Sequence, residues 1–312
     1  MKDGLLLIDK ESGCTSHDVV QRARRILKQK KIGHCGTLDP EATGLLLLTL
    51  GNATRLTRFL IRAPKVYEGT IRFGVETDTY DAVGQVVAEA PAAAVAALAA
   101  GAVEAEMRRF EGTFAQQAPP YSAKKVGGVK FYEMARRGEE VPLESKEVTV
   151  YEFGPRGNGE EAAEALAGGR LPFRLACSSG TYARTLAHDL GRRLGVGAHL
   201  CELRRTKIGP FTVDRAVTLP RLDEGVGSGE GVGEAFVAFD QIPLPFGEVT
   251  ADPQQEQRIG HGQTVLVREL AGEEGDWVKL LNRRREFIAV GTVVERIGDG
   301  GVGIVQPKVV FR

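Results

Sequence analysis

The segment 33–44, GHCGTLDPEATG, gathers His34, Thr37 and Asp39 among three glycines, Gly33, Gly36 and Gly44. A carboxylate held in such a loop can attack carbon, remove a proton or steady developing positive charge. An Asp-Pro pair needs no chemistry to explain it, because it starts turns and the glycines permit the bend. A second segment, CSSGTYARTLAHDLG at 177–191, puts Arg184 in the first turn of a helix that follows a Ser/Gly loop. A cation there opposes the helix dipole, so a carboxylate partner would account for its place. Other chemistries lack their residues. The chain has no GxxxxGK[ST] phosphate loop, no HExxH and no GxSxG. Its 5 histidines show no paired metal spacing, and Cys14, Cys35, Cys177 and Cys201 stand singly with no C-x-x-C pair. No zinc site, other metal or cofactor is expected, and the thiols read as small buried apolar residues.

The elements that must position these residues follow from periodicity. Leu5 to Ile8 is fit for a buried strand. A helix then opens on a capping-box pattern, Thr15 and Asp18, with Val19, Val20, Ala23, Ile26 and Leu27 on one face. Arg24, Lys28 and Lys31 recur at i, i+4, i+7 and form a separate basic face. The loop at 33–44 runs into an apolar strand, Leu45 to Leu50. In KVYEGTIRFG, Tyr67, Gly69, Ile71 and Phe73 alternate to one side, as in a half-buried strand. A strand near Val86 precedes an Ala-rich helix from Pro91 to about Phe110. Further elements are a helix over Tyr132 to Arg137, strands over Val148 to Phe153 and Leu171 to Cys177, and a helix over Thr181 to Leu194. Strands and helices mix without βα alternation, which indicates an α+β fold with a mixed, mainly antiparallel sheet. GVGSGEGVGE at 225–234 reads as a Gly-rich loop that cannot pack a core. It leads to a boundary at 240, after which residues 241–312 form a small β-rich module with strands over Trp277 to Leu281, Phe287 to Val293 and Ile304 to Phe311.

Hydrophobic residues make up 42% and charged residues 26%, as in ordinary globular proteins. No apolar run reaches the length of a membrane span, and MKDGLLLIDKESG lacks a signal-peptide pattern, so a cytoplasmic location without membrane contact is expected. Net charge is +0, but its distribution is uneven. Residues 1–62 carry 11 Lys/Arg against 6 Asp/Glu, and residues 170–215 carry 9 against 3. The stretches 63–169 and 216–300 are acidic. Two basic blocks that meet in the fold would give one positive surface, so a neutral total does not exclude RNA.

Taken together, these segments resemble the TruB family of pseudouridine synthases over nearly the whole chain. GHCGTLDPEATGLL (33–46) is similar to the family's catalytic motif, and KVYEGTIRFGVETDTYDAVG (65–84) to its second motif. PPYSAKKVGGVKFYEMARRGEEVP (119–142), CSSGTYARTLAHDLG and GAHLCELRRTKIGPF (197–211) resemble later segments in the right order. The terminal module resembles a short PUA domain, an RNA-binding fold, and ends in IVQPKVV. The chain departs from the family pattern at Glu11, Lys124 and Ala183, none of them the proposed nucleophile.

The resemblance implies a pseudouridine synthase catalytic domain over 1–240 that isomerises a uridine, at position 55 in the T-arm of tRNA. Asp39 would be the nucleophile and Arg184 its partner. Tyr67 would lie against the uracil and assist proton removal. His34 would stand at the flipped-out nucleotide, with Tyr182 and Leu203 lining the uridine pocket. The partner is then the tRNA T-arm stem-loop, with no guide RNA or protein subunit. A non-catalytic RNA-binding or tRNA-folding protein and a guide-RNA-dependent relative are the competing readings. Because the proposed nucleophile is a carboxylate, excess EDTA should leave turnover on folded tRNA unchanged. Lost turnover restored specifically by zinc would overturn that expectation.

Overall fold

The computed structural model describes residues 3–119, 125–126, 129–130, 145–228, 232–298 and 301–311. The helix expected over Tyr132 to Arg137 lies outside them. β1 (Gly4–Lys10) is buried almost throughout and leads to α1 (Ser16–Ile26), whose Thr15/Asp18 capping box is formed on both sides. β2 (Ile32–His34), β3 (Thr43–Leu50) and the short α2 (Thr57–Leu60) follow. β4 (Lys65–Phe73) buries Tyr67, Ile71 and Phe73 as its alternation predicts, and β5 (Val75–Thr77) pairs with β6 (Val86–Glu89) as a side hairpin. After α3 (Ala92–Ala96) and α4 (Ala100–Arg108) come β7 (Gly112–Gln117) and the pair β8 (Lys125–Val126) and β9 (Val129–Lys130). Then follow β10 (Ser145–Pro155), α5 (Gly159–Ala167), β11 (Arg170–Cys177), α6 (Ala183–Arg193), β12 (Ala198–Ile208) and β13 (Phe211–Thr212).

A 10-stranded sheet carries the fold, in the order β14-β1-β3-β12-β4-β11-β10-β7, with β2 added at β3, β13 at β12, and β14 spanning Phe236–Ala238. It is antiparallel except where β12 meets β3, with Arg204 opposite Thr43 and Arg205 opposite Gly44. Gly44 is required there. Its φ is +96°, and a Cβ would sit 2.3 Å from the Arg205 carbonyl oxygen. This junction also joins the two basic blocks, since β3 belongs to one and β12 to the other.

Several expectations need correction. The basic face of Arg24, Lys28 and Lys31 is not one helical stripe: α1 ends at Ile26 and Lys28 turns to φ +49°. The Ala-rich helix divides in two because Ala99 is extended. An alanine run sets no direction of its own, so burial of Val103 and Met107 decides that of α4. Part of the supposed Gly-rich loop is helical, since α7 (Leu219–Ser228) runs through Gly225 to Ser228. Glycine costs a helix about 1 kcal/mol against alanine, and the fully buried Leu222 anchors the segment regardless. The helix expected from Thr181 starts at Ala183, leaving Tyr182 as its N-cap.

The C-terminal region forms a second sheet of five strands. These are β15 (Gly247–Thr250), β16 (Val265–Val267), β17 (Trp277–Leu281), β18 (Phe287–Ile297) and β19 (Val302–Val310). A helix the sequence reading missed, α8 (Pro253–Gly260), is capped by Asp252 and Gln255 with Pro253 in its first turn. Leu281, Phe287, Val290, Val309 and Phe311 belong to the same apolar core as β1 and β3. Phe239 stacks on Phe287 at 5.0 Å and meets Phe311 at 4.8 Å, while Phe59 meets Trp277 at 4.8 Å. Lys279, also buried, donates to the carbonyls of Asp240 and Ile242 at 3.1 and 3.3 Å. The terminal sheet therefore closes the core of the larger one. Phe287→Ala should lower the stability of the whole chain by about 3–5 kcal/mol, read as one shifted urea transition. Loss of only a separate C-terminal transition would show that the two sheets unfold independently.

Candidate active site

Asp39 sits on a backbone fixed from several directions. The Ser16 hydroxyl on α1 accepts from the Leu38 amide at 2.9 Å and donates to the Leu38 carbonyl at 3.2 Å. Lys10, at the end of β1, is buried and donates to the carbonyls of Pro40 and Glu11, both at 2.8 Å. Burial lowers the pKa of that amine. From β12, Arg205 donates through Nε to the Leu45 carbonyl at 2.8 Å, through Nη2 to Gly36 at 3.1 Å and through Nη1 to Thr37 at 3.4 Å. Only 1% of Arg205 is exposed, so these carbonyls replace its water. The Asp39 side chain, by contrast, is 44% exposed.

Arg184 comes to Asp39 from the first turn of α6, 145 residues away. Its Nε lies 2.9 Å from Oδ2 of Asp39, and Nη2 donates to Oδ1 at 3.4 Å, a two-point contact that fixes the carboxylate plane. The Arg184 side chain is 6% exposed. A second carboxylate, Asp81, stands 3.3 Å from Nη1, and the Thr79 carbonyl accepts from the same nitrogen at 3.2 Å. The charge that α6 disfavours at its N-terminus is thus neutralised from two loops.

The pair opens on a cavity of about 1100 Å³. Asp39, Tyr67, Tyr182, Arg184 and Leu203 all line it, so five of the six residues singled out in the sequence are brought together. His34 is not among the lining residues. It lies on β2, where burial lowers its pKa and its Nδ1 has no hydrogen-bond partner among the described residues. Burial raises the Tyr67 pKa and so keeps its phenol protonated. Tyr182 is held by a reciprocal pair: its amide donates to Gln116 Oε1 at 2.8 Å and its carbonyl accepts from Gln116 Nε2 at 3.1 Å.

Sequence reading missed Asp81, Arg205 and Lys65. Asp81 sits in TDTYD, which reads as a turn, and nothing local links it to Arg184. Lys65 only opens the alternating segment KVYEGTIRFG, which marks a strand and not a site. It lines the same cavity as Tyr67 and donates to the carbonyls of Ile61 and Ala63 at 2.5 and 2.7 Å. Burial lowers its pKa to about 8. The nearby thiols of Cys35 and Cys177 are pushed up to about 12 and about 11 by burial, which makes them poor nucleophiles. Among the described residues no group of three or more His, Cys, Asp or Glu side chains is placed to hold a metal ion.

Comparison with known proteins agrees on one family. The model of the TruB family pseudouridylate synthase N-terminal domain matches residues 24–183, and that of the tRNA pseudouridylate synthase B C-terminal domain matches residues 184–232. A tRNA pseudouridine synthase B from Solibacter usitatus is 41% identical over 293 residues, covering 94% of this chain and 96% of the relative. One from Streptococcus thermophilus is 40% identical over 287 residues, covering 91% and 96%. Among solved structures, a crystal structure of a Cbf5-Nop10-Gar1 complex contains a chain that is 26% identical with a TM-score of 0.73, covering 99% of this chain and 85% of that one.

Lys65 supplies a test of the cavity floor. Between pH 8 and its ordinary value of 10.5 the folded chain holds less of this proton than the unfolded chain. Burying the charge therefore costs stability below pH 8, and the cost fades as pH rises to 10.5. Tyr67, Cys35 and Cys177 have raised values and act in the opposite sense, so the difference between proteins is the clean readout. The stability of Lys65→Met minus that of the wild type should fall by about 3 kcal/mol from pH 7 to pH 10.5. A constant difference in urea titrations over this range would show that the amine is not strained by burial.

Proposed function

The chain belongs to the TruB family of pseudouridylate synthases, and we propose that it isomerises the uridine at position 55 in the T-arm of tRNA without a guide RNA. The activity is that of an isomerase, a pseudouridine synthase. The carrying observation is the Asp39–Arg184 pair in the wall of a cavity also lined by Tyr67, Tyr182 and Leu203. In the reaction the C1′–N1 bond of uridine breaks and a C1′–C5 bond forms. C5 loses a proton and N1 gains one, so neither oxidant nor net water is consumed. Asp39 can serve by attacking C1′, by attacking C6, or by removing the C2′ proton. In each case a carboxylate must face the sugar or base while its backbone stays still. Pinning by Ser16, Lys10 and Arg205 meets that need.

The target base has to leave its stack, which costs a few kcal/mol. Tyr67 and Leu203 offer it apolar walls, and Tyr182 offers a half-buried ring. Tyr67 as a proton acceptor would work against its burial, so we assign it first to the uracil face. His34, set back from the cavity, would meet RNA beside the extruded nucleotide rather than the base itself. Arg62 and Lys146 line the cavity too and are suited to phosphate. Residues 241–312 are read as a PUA-like RNA-binding module that also seals the core. Guide-dependent action remains the competing reading because structural relatives include a Cbf5 complex. The bacterial relatives, matched over nearly their full length, favour the stand-alone enzyme. No helix among the described residues is long and apolar enough to cross a membrane, in keeping with work on RNA in the cytoplasm.

Asp39→Asn keeps the shape and the turn preference but cannot attack carbon. With saturating protein and unmodified tRNA, single-turnover formation of pseudouridine should fall below detection while filter binding changes little. Wild-type turnover in this variant would remove Asp39 from the mechanism. Wild-type protein inactive until a guide RNA is supplied would establish the competing reading.

A further inference from the structure

Outside the cavity, one pair of rings bears on the Arg184 contact. Tyr80 and His188 stack with centroids 3.8 Å apart and planes within 13°. His188 lies on α6 one turn beyond Arg184, and Tyr80 lies between Thr79 and Asp81. The residues on either side of Tyr80 are thus the two that accept from Arg184 Nη1. Tyr80 has φ +65°, in the left-handed region that suits glycine. A bulky side chain there stores strain that its surroundings must hold in place.

We infer that Tyr80 and His188 are positioning residues for the reaction: their stacked rings clamp the Thr79–Asp81 segment onto α6 and so keep Arg184 aligned with Asp39. The clamp has two further anchors. The Tyr80 carbonyl accepts from the Leu200 amide at 3.0 Å, and Thr77 Oγ1 donates to the Asp81 carbonyl at 2.7 Å. Thr79 Oγ1 donates to Asp81 Oδ1 at 2.5 Å, which orients the other oxygen, Oδ2, toward Arg184. Neither ring lines the cavity, so neither is placed to touch a nucleotide there. His188 is buried and its Nδ1 has no hydrogen-bond partner among the described residues, so ring contact rather than hydrogen bonding by that atom explains its presence. Glu76, Asp189 and Arg192 surround it, and burial lowers its pKa, which keeps the stacked ring neutral.

The inference rests on the assignment of Asp39 and Arg184 to catalysis, and the experiment separates the two. Tyr80→Phe retains the stack, whereas Tyr80→Asn and Tyr80→Gly remove it and tolerate the positive φ. Single-turnover rates at saturating protein and RNA dissociation constants are measured for each, beside Asp39→Asn. Tyr80→Phe should stay within about twofold of wild type, because the ring faces are unchanged. Tyr80→Asn and Tyr80→Gly should slow turnover roughly 10- to 100-fold through misplacement of the reacting groups, with RNA affinity nearly unchanged. In an Asp81→Asn background, Tyr80→Asn should slow the reaction far less than it does alone, since both act through Arg184. Either ring-deleting variant, folded and turning over at the wild-type rate, would overturn the inference, as would a loss of affinity equal to the loss of rate. Full effects added in the Asp81→Asn background would also overturn it. An active Asp39→Asn would instead refute the underlying assignment.

Discussion

A guanidinium taken out of water must find its counter-charge in the protein, and for Arg184 that charge comes from two loops that are distant in sequence. Asp39 belongs to the loop between β2 and β3, and Asp81 to the hairpin that extends β4. Removing either carboxylate takes a counter-charge from a buried cation, a far larger disturbance than loss of a surface ion pair. The arrangement therefore couples three regions. The exposed carboxylate is aimed, the hairpin is held against α6, and the helix start tolerates a charge it would otherwise oppose. The parallel junction of β3 with β12 serves the same end, because it lets Arg205 reach the carbonyls of Gly36, Thr37 and Leu45.

The cavity shows how a chain of zero net charge can attract a polyanion. Among the described residues, Arg62, Lys65, Lys146, Arg184 and Arg205 line it against Asp39 and Glu147. Several of these cations are committed to carbonyl oxygens: Lys65 to the turn at Ile61 and Ala63, Lys146 to Ser179 at 3.1 Å, and Arg205 to the loop at Gly36. Their hydrogen bonds are used structurally while their charge still projects into the concave space. Composition sums over the whole chain and averages this away.

Much of the frame was legible because single residues report local burial. Val19, Val20 and Ala23 reveal the inner face of α1, and Tyr67, Ile71 and Phe73 that of β4. β12 escaped because irregularities after Leu200 and Arg205 break its alternation, and because its buried set includes His199 and Arg205. Asp39 and Arg184 were visible as types and motifs, whereas Asp81 was not, since its partner stands 103 residues away and its surroundings read as a turn. The aromatic seam that joins the sheets was equally hidden, as Phe59, Phe239, Trp277, Phe287 and Phe311 form no local pattern. Periodicity speaks for neighbours on one element and is silent about contacts closed by the whole chain.

That last closure bears on how the molecule is made. β1 pairs with β3 soon after the two are synthesised, but its other edge waits for β14, more than two hundred residues later. The core it helps to build is completed only by Phe311, at the far end of the chain. At roughly 5–20 residues per second the growing polypeptide spends some tens of seconds with that apolar surface uncovered and one strand edge unpaired. Its late, long-range pairings also place it among slow folders. The nascent chain is thus a natural client for holding chaperones, and a premature stop anywhere in β19 yields a protein that lacks Phe311 and so leaves its core open.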